Sequence, residues 1–156
     1  MSRMFQCRAI PSTWLENNGR RLDCGPYMAG AVEAKELLKK LNTEKLSRVT
    51  ADIYHAGRES RSWVDSEEHG VPFMGSTDIL AADLSYLPLI SRKQVASNPR
   101  FTVRKGWTLV TRSGTVGRMA FARPDMDGVA CSEHVMRVVP NEGIIKPGYL
   151  FAYLCS

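Results

Sequence analysis

The sequence predicts an α+β domain, a curved, mostly antiparallel sheet with a few flanking helices. Two observations predict it. Ala31, Ala34, Leu38 and Leu41 recur at intervals of three and four, the period of a helix with one apolar face. From residue 100 onward the pattern changes to short runs of β-branched, aromatic and alternating residues separated by glycine-bounded connections. A chain of 156 residues is about the size of one domain, and its 44% hydrophobic content suffices for a core, so disorder is not expected.

The opening segment, Ile10-Pro11-Ser12-Thr13-Trp14 and then Arg21-Leu22-Asp23, reads as extended chain leading to a turn at Gly25-Pro26-Tyr27. The helix follows, with Glu36 and Lys40 one turn apart where they can pair, and Asn42-Thr43 as its stop. Residues 49–54 read as a strand, and Val71-Pro72-Phe73-Met74-Gly75 as a short buried one before the capping-type sequence Ser76-Thr77-Asp78. Trp107-Thr108-Leu109-Val110-Thr111 is a strand, Ser113-Gly114-Thr115-Val116-Gly117 a tight connection, and residues 118–122 alternate polar or small side chains with Met119 and Phe121. The loop Pro124-Asp125-Met126-Asp127-Gly128 leads into Val129-Ala130-Cys131 and a strand over 135–139. Pro147 opens a last helix through Leu154, since its ring presets the backbone for a first helical turn. With no internal repeat, low-complexity tract or linker rich in Pro, Gly and Ser, a single domain over 1–156 is expected, incomplete at its C-terminus where the last helix is cut off.

Several classes are excluded early. No run approaches the roughly 18 uncharged apolar residues of a membrane helix, and Met1-Ser2-Arg3-Met4-Phe5-Gln6-Cys7-Arg8 lacks the apolar stretch of a signal peptide, so a cytoplasmic protein is expected. Cys7, Cys24, Cys131 and Cys155 are scattered, without CxxC spacing or a nearby His pair; they read as reduced, mostly buried thiols rather than a zinc site. Nor is there a glycine-rich cofactor fingerprint, because Gly114 and Gly117 lie between strands and no helix follows to receive a phosphate.

Charge is distributed unevenly. The net charge is +5, but residues 91–123 hold Arg92, Lys93, Arg100, Arg104, Lys105, Arg112, Arg118 and Arg123 with no acid, a local excess of eight. The remaining 13 basic and 16 acidic residues leave the rest of the chain at −3, so one segment carries all the excess.

Three blocks within and after this segment resemble a known family. The runs Gly106-Trp107-Thr108-Leu109-Val110-Thr111-Arg112-Ser113-Gly114-Thr115-Val116-Gly117-Arg118, Met126-Asp127-Gly128-Val129-Ala130-Cys131-Ser132-Glu133-His134 and Pro147-Gly148-Tyr149-Leu150-Phe151-Ala152-Tyr153-Leu154 are similar, in order and spacing, to target-recognition domains of type I restriction-modification specificity subunits. Upstream, Arg21-Leu22-Asp23, Ile53-Tyr54-His55-Ala56-Gly57-Arg58 and residues 71–80 fit the same order, so the resemblance runs from about residue 14 onward. It implies a non-catalytic module that reads double-stranded DNA for a methyltransferase subunit and a restriction subunit. Those partners would use S-adenosylmethionine and ATP, while this chain binds no cofactor. Family members carry two such domains with long spacer helices; one domain without a spacer fits a fragment, a truncated gene product or a half-sized subunit.

A surface for duplex DNA needs several Lys or Arg lying together and polar side chains that reach base edges. Arg112, Ser113, Thr115 and Arg118 flank the glycine connection, where small residues let a backbone approach phosphates; the plain alternative is a strand turn with solvated arginines. Arg92, Lys93, Arg104 and Lys105, with Arg100, lie in a less regular stretch near Asn98-Pro99 that suits reading loops, although singly each is more often a surface charge. Arg58, Arg61 and Trp63 join cations to an aromatic in a polar loop over 57–66, among Glu59, Asp65, Glu67 and Glu68. Gln94 and Asn98 have amides suited to adenine edges. The expectation is that the fold gathers the arginines of the acid-free stretch onto one exposed surface.

Enzyme readings fare poorly on the same residues. A PD-(D/E)xK nuclease needs a lysine two positions after its second acid, and Val135 occupies that place after Glu133. Glu133 and His134, as strand neighbours, would point to opposite faces. Cys131 or Ser132 as nucleophile would need His55 or His69 as base. The alternative of another class is an interaction module or remnant specificity fragment that docks partner subunits without reading DNA.

Overall fold

The computed structural model describes residues 7–17, 19–20 and 22–156, so Met1 to Gln6 and Arg21 of the sequence reading lie outside the described residues. The chain divides into two compact units, residues up to Glu44 and from Lys45 onward. The first unit holds helices α1 (Ser12–Asn17), α2 (Gly25–Met28) and α3 (Ala31–Leu38), with Tyr27 of α2 and Val32 of α3 buried. The Arg8 guanidinium donates to the Tyr27 carbonyl at 2.7 Å, pairs with Glu33 and lies 5.8 Å from the Trp14 ring centroid. The expected extended start and turn are corrected to α1 and the single-turn α2, helices of six and four residues that are too short to display a period. Glu36 pairs with Lys39 at 2.6 Å rather than with Lys40.

The second unit has the expected α+β make-up, with its strands divided between two four-stranded sheets. The short helix α4 (Leu46–Val49) runs into β1 (Thr50–Tyr54), which pairs antiparallel with β8 (Val135–Pro140). β8 pairs in turn with β5 (Thr108–Thr111), and β5 with β6 (Met119–Phe121), giving the order β1-β8-β5-β6, antiparallel throughout. The second sheet has the order β2-β4-β3-β7, with β2 (Trp63–Val64), β3 (Gly70–Met74), β4 (Leu89–Ser91) and β7 (Ala130–Cys131); only β3 and β7 run parallel. Strand alternation assigns each face. Leu109, Ala120 and Val135 of the first sheet meet Met74 and Cys131 of the second in one core, with Met126 and Val103 filling it. Val71, Phe73, Ile90 and Ala130 form a second core with Phe101 and with Val95 of α5 (Arg92–Ser97). The chain closes with α6 (Pro147–Cys155), where the Pro147 signal predicted it.

The stretch expected to be irregular around Arg92 is α5, whose single buried side chain, Val95, leaves no repeat to read. The capping-type Ser76-Thr77-Asp78 opens a 3₁₀ turn, Asp78–Leu80, in which the Asp78 carboxylate accepts from the Gly75 amide at 2.7 Å. Of the four thiols expected to be mostly buried, only Cys131 is; Cys7, Cys24 and Cys155 are exposed. Among the described residues no helix is long and apolar enough to cross a membrane.

Candidate nucleic-acid interface

Strand register decides which charged residues meet. Tyr54, the last residue of β1, sits opposite Arg137 near the start of β8, and Thr111, the last of β5, sits opposite Val135. The same end of the first sheet therefore carries His55 after β1, Arg112 and Ser113 after β5, Arg118 before β6 and His134 before β8. The opposite end carries Lys105 and Arg104 before β5 and Arg123 after β6.

At the first end, residues 111–118 form a closed turn. Buried Thr111 accepts from the Arg118 amide at 3.0 Å and donates to the Thr115 carbonyl, while the Gly117 amide reaches the Thr111 carbonyl at 3.1 Å. Gly114 and Gly117, at φ +78° and +86°, occupy left-handed backbone that a side chain would strain. Arg112, Thr115 and Arg118 are exposed on this turn. It is tied across the sheet end: the Arg112 amide donates to the His134 carbonyl at 2.9 Å, and Ser113 Oγ lies 2.5 Å from His134 Nδ1.

The loop over 57–62 joins them, while Trp63 and Val64 of the expected loop form β2. Gln94 of α5 donates to the Ser60 carbonyl at 2.7 Å and accepts from the Ser62 amide at 2.9 Å; Asn98 donates to Glu59 at 2.6 Å. These two amides, suited in sequence to adenine edges, are engaged here in bracing the loop. Arg61 donates to Glu133 at 2.8 Å with its guanidinium 4.7 Å over the Phe73 ring. Two adjoining open clefts result. One of about 390 Å³ is lined by His55, Arg58, Arg112, Ser113, Glu133 and His134; the other, about 470 Å³, by Arg58, Glu59, Ser60, Arg61, Trp63, Glu133 and His134.

Glu133 and His134 do not sit on a strand with opposed faces, as the sequence suggested. They lie in the turn between β7 and β8, which belong to different sheets, and His134 Nε2 stands 3.5 Å from the Glu133 carboxylate. Burial alone would push the Glu133 carboxyl up, but its own amide, the Arg61 hydrogen bond and the Arg61 and His134 charges outweigh that and hold it below its usual range. The turn is anchored from beneath by Arg137, fully buried on β8, which sequence reasoning passed over because arginine reads as a surface residue. Its guanidinium donates to the carbonyls of Ser132 at 2.9 Å, Val135 at 2.7 Å, Phe101 at 2.9 Å and Cys131. Burial pulls its pKa down, against the opposing influence of Cys131, Tyr54 and Glu133. Burial pushes the Cys131 thiol up to about 11, which makes it a poor nucleophile.

The acid-free stretch is thus not gathered on one surface, correcting that expectation. Arg92 donates to the carbonyls of Glu67, Glu68 and Gly70 at 2.6 to 3.3 Å, and Lys93 lies with it beside a separate cleft with His69. Arg100 stacks 4.8 Å from the Tyr54 ring and 3.6 Å from Asp52. Arg104 faces Asp127 at 3.9 Å, the Lys105 amide donates to Asp127 at 3.0 Å, and Arg123 pairs with Asp125 at 2.8 Å, all at the far end. Asp125 and Glu133, the acids weighed for a nuclease, lie at opposite ends of the sheet. What the fold brings together is Arg58 and Arg61 with Arg112 and Ser113, next to Thr115 and Arg118 on the same turn, plus His55 and His134, which sequence reasoning had weighed only as bases.

Comparison with known proteins gives a likeness of fold. No family model and no curated protein sequence matches the chain. Among solved structures, the HsdS subunit from Thermoanaerobacter tengcongensis, a type I specificity subunit, superposes with a TM-score of 0.51 at 18% identity over 92% of this chain. The chain spans 37% of that protein's length. The architecture described above is accordingly similar to that of a portion of a type I specificity subunit.

Proposed function

We propose that the chain is a sequence-specific DNA-binding module of a type I restriction-modification complex, one target-recognition-like domain that directs methyltransferase and restriction subunits to a site. The observation that carries the reading is the convergence of two sequence-distant basic segments, around Arg58 and around Arg112, on one end of the β1-β8-β5-β6 sheet. Among the described residues, Arg58, Arg112 and Arg118 have no acidic partner within 4 Å, so their charge is available to phosphates. Ser113 and Thr115 add short polar side chains on a turn narrow enough to approach a backbone. The likeness of fold supports the same reading. In it the chain works in the cytoplasm, holds neither S-adenosylmethionine nor ATP, and leaves chemistry to its partners. Arg92, Lys93, Arg104 and Lys105 stand outside this face and contribute at most long-range attraction.

The test is a gel shift with random-sequence competitor, run with and without the methyltransferase subunit, on the wild type and an Arg112→Ala/Arg118→Ala variant. Selective binding that the substitutions weaken while subunit pairing persists supports a reader. Lost pairing with unchanged DNA affinity favours the docking module, and salt-insensitive absence of DNA binding in the complex rejects the proposal.

A further inference from the structure

Glu133 is out of place on a face built for phosphates. A carboxylate beside Arg58, Arg61 and His134 repels the DNA backbone, so it adds nothing to general affinity. It is nevertheless firmly positioned. Its side chain is only 13% exposed, Arg61 Nη2 meets its Oε2 at 2.8 Å, and Arg137 fixes its turn through the Ser132 and Val135 carbonyls. Arg61 is fixed as well: its guanidinium rests on Phe73, whose ring meets the half-exposed Trp63 edge-on with centroids 5.3 Å apart. The result is a donor and an acceptor held side by side at the rim of the larger cleft.

Base-pair edges in the major groove carry the complementary arrangement. Cytosine N4 is a donor next to guanine O6, an acceptor, and adenine N6 is a donor next to thymine O4. In each pair these two groups are hydrogen-bonded to one another, so they lie about 3 Å apart. The Arg61–Glu133 contact, itself a hydrogen bond of 2.8 Å, sets its donor and acceptor at the same spacing. What separates the two base pairs is the next group along. Guanine continues with the N7 acceptor, which suits a second guanidinium N–H, whereas thymine continues with a methyl group.

We propose that the Arg61–Glu133 pair reads one C·G base pair in the major groove, Glu133 accepting from the cytosine amine and Arg61 donating to guanine. This rests on the DNA-reading role above and adds a base identity and a specificity-determining carboxylate. The pair also links the 57–62 loop to the β7–β8 turn, and a purely structural role is the competing account.

The full chain, incubated with a pool of duplexes carrying a randomised core and sequenced from the bound fraction, separates these accounts. The wild type enriches a motif with a C·G position. In Glu133→Gln the preference at that one position falls about tenfold or more while the rest of the motif stands. Arg61→Lys keeps the charge but loses the fork, and weakens the same position; it decides the matter if a urea titration shows Glu133→Gln unfolded. Motifs unchanged in the folded variants, or a position that proves to be A·T, overturn the proposal. A wild type that enriches no motif at all, either alone or with the methyltransferase subunit, overturns the DNA-reading role itself, a different result from either.

Discussion

The two ends of the β1-β8-β5-β6 sheet carry similar sets of cations and neutralise them differently. At the far end the acids come from the adjacent loop: Asp125 binds Arg123 through both carboxylate oxygens, at 3.1 and 2.8 Å, and Asp127 faces Arg104 while accepting from the Lys105 amide. At the near end Glu133 is committed to Arg61, and Glu59, which lines the cleft beside Arg58, accepts from Asn98. Arg58, Arg112 and Arg118 remain without acidic partners there among the described residues. A local charge excess in the sequence therefore does not locate a charged surface. Register selects which cations meet, and nearby acids decide how much of their charge is left.

The strongest way to break the comparison is to remove what shapes the near end. Arg137→Met strands four buried backbone carbonyls, each costing about 1 to 3 kcal/mol when unsatisfied. Relief from burying a cation with no carboxylate partner offsets part of this. The expected loss is about 3 kcal/mol or more in urea unfolding, with amide exchange accelerated over 131–136 more than over 124–128. A loss under about 1 kcal/mol, or equal acceleration at both places, would mean that Arg137 does not organise that turn.

A smaller effect sharpens the contrast in charge. Replacing Arg58 and Arg112 together by Ala is expected to weaken duplex affinity about ten- to a hundredfold and make the salt dependence shallower by about two. The same exchange at Arg104 and Arg123 is expected to change affinity by less than about threefold, because their acids are left behind to be solvated. Equal losses at the two ends, measured by anisotropy across a salt series, would dissolve the distinction.

Much of the scaffold was legible, and the reasons for the gaps are specific. β5, the glycine turn, β8 and α6 carry strong local signals: alternation, paired glycines and a proline at a first helical position. α4, α5 and β2 are too short for a period to emerge, and no local pattern ties Gln94 or Asn98 to the loop that they brace. Residues 129–131 and 135–139 read as two short β segments with Glu133 and His134 as strand neighbours between them, and only the sheet topology shows that β7 and β8 belong to different sheets with the two residues in the turn that joins them. The meeting of Arg58 with Arg112 is a consequence of β1 and β5 flanking β8, a long-range pairing that no local pattern encodes.

Acid gives the finest comparison of the two ends. Glu133 and Asp125 are each held below the usual carboxylate range, Glu133 against the opposing effect of burial and Asp125 mainly by its hydrogen bond from Arg123. A carboxyl with a lowered folded pKa stabilises the fold above its unfolded value, and that contribution is lost as pH falls through the folded one. Both contributions should therefore fade between about pH 5 and about pH 3. They should differ in size, because Glu133 is largely covered whereas the Asp125 side chain is 49% exposed and its ion pair is screened by water. Urea midpoints of the wild type, Glu133→Gln and Asp125→Asn at the two pH values should show the Gln variant losing more of the acid-dependent drop, about 1 kcal/mol or less. Matching slopes in the two variants would place Glu133 in the same solvent-screened regime as Asp125, and the near end would then lack the fixed carboxylate that the proposed base reading requires.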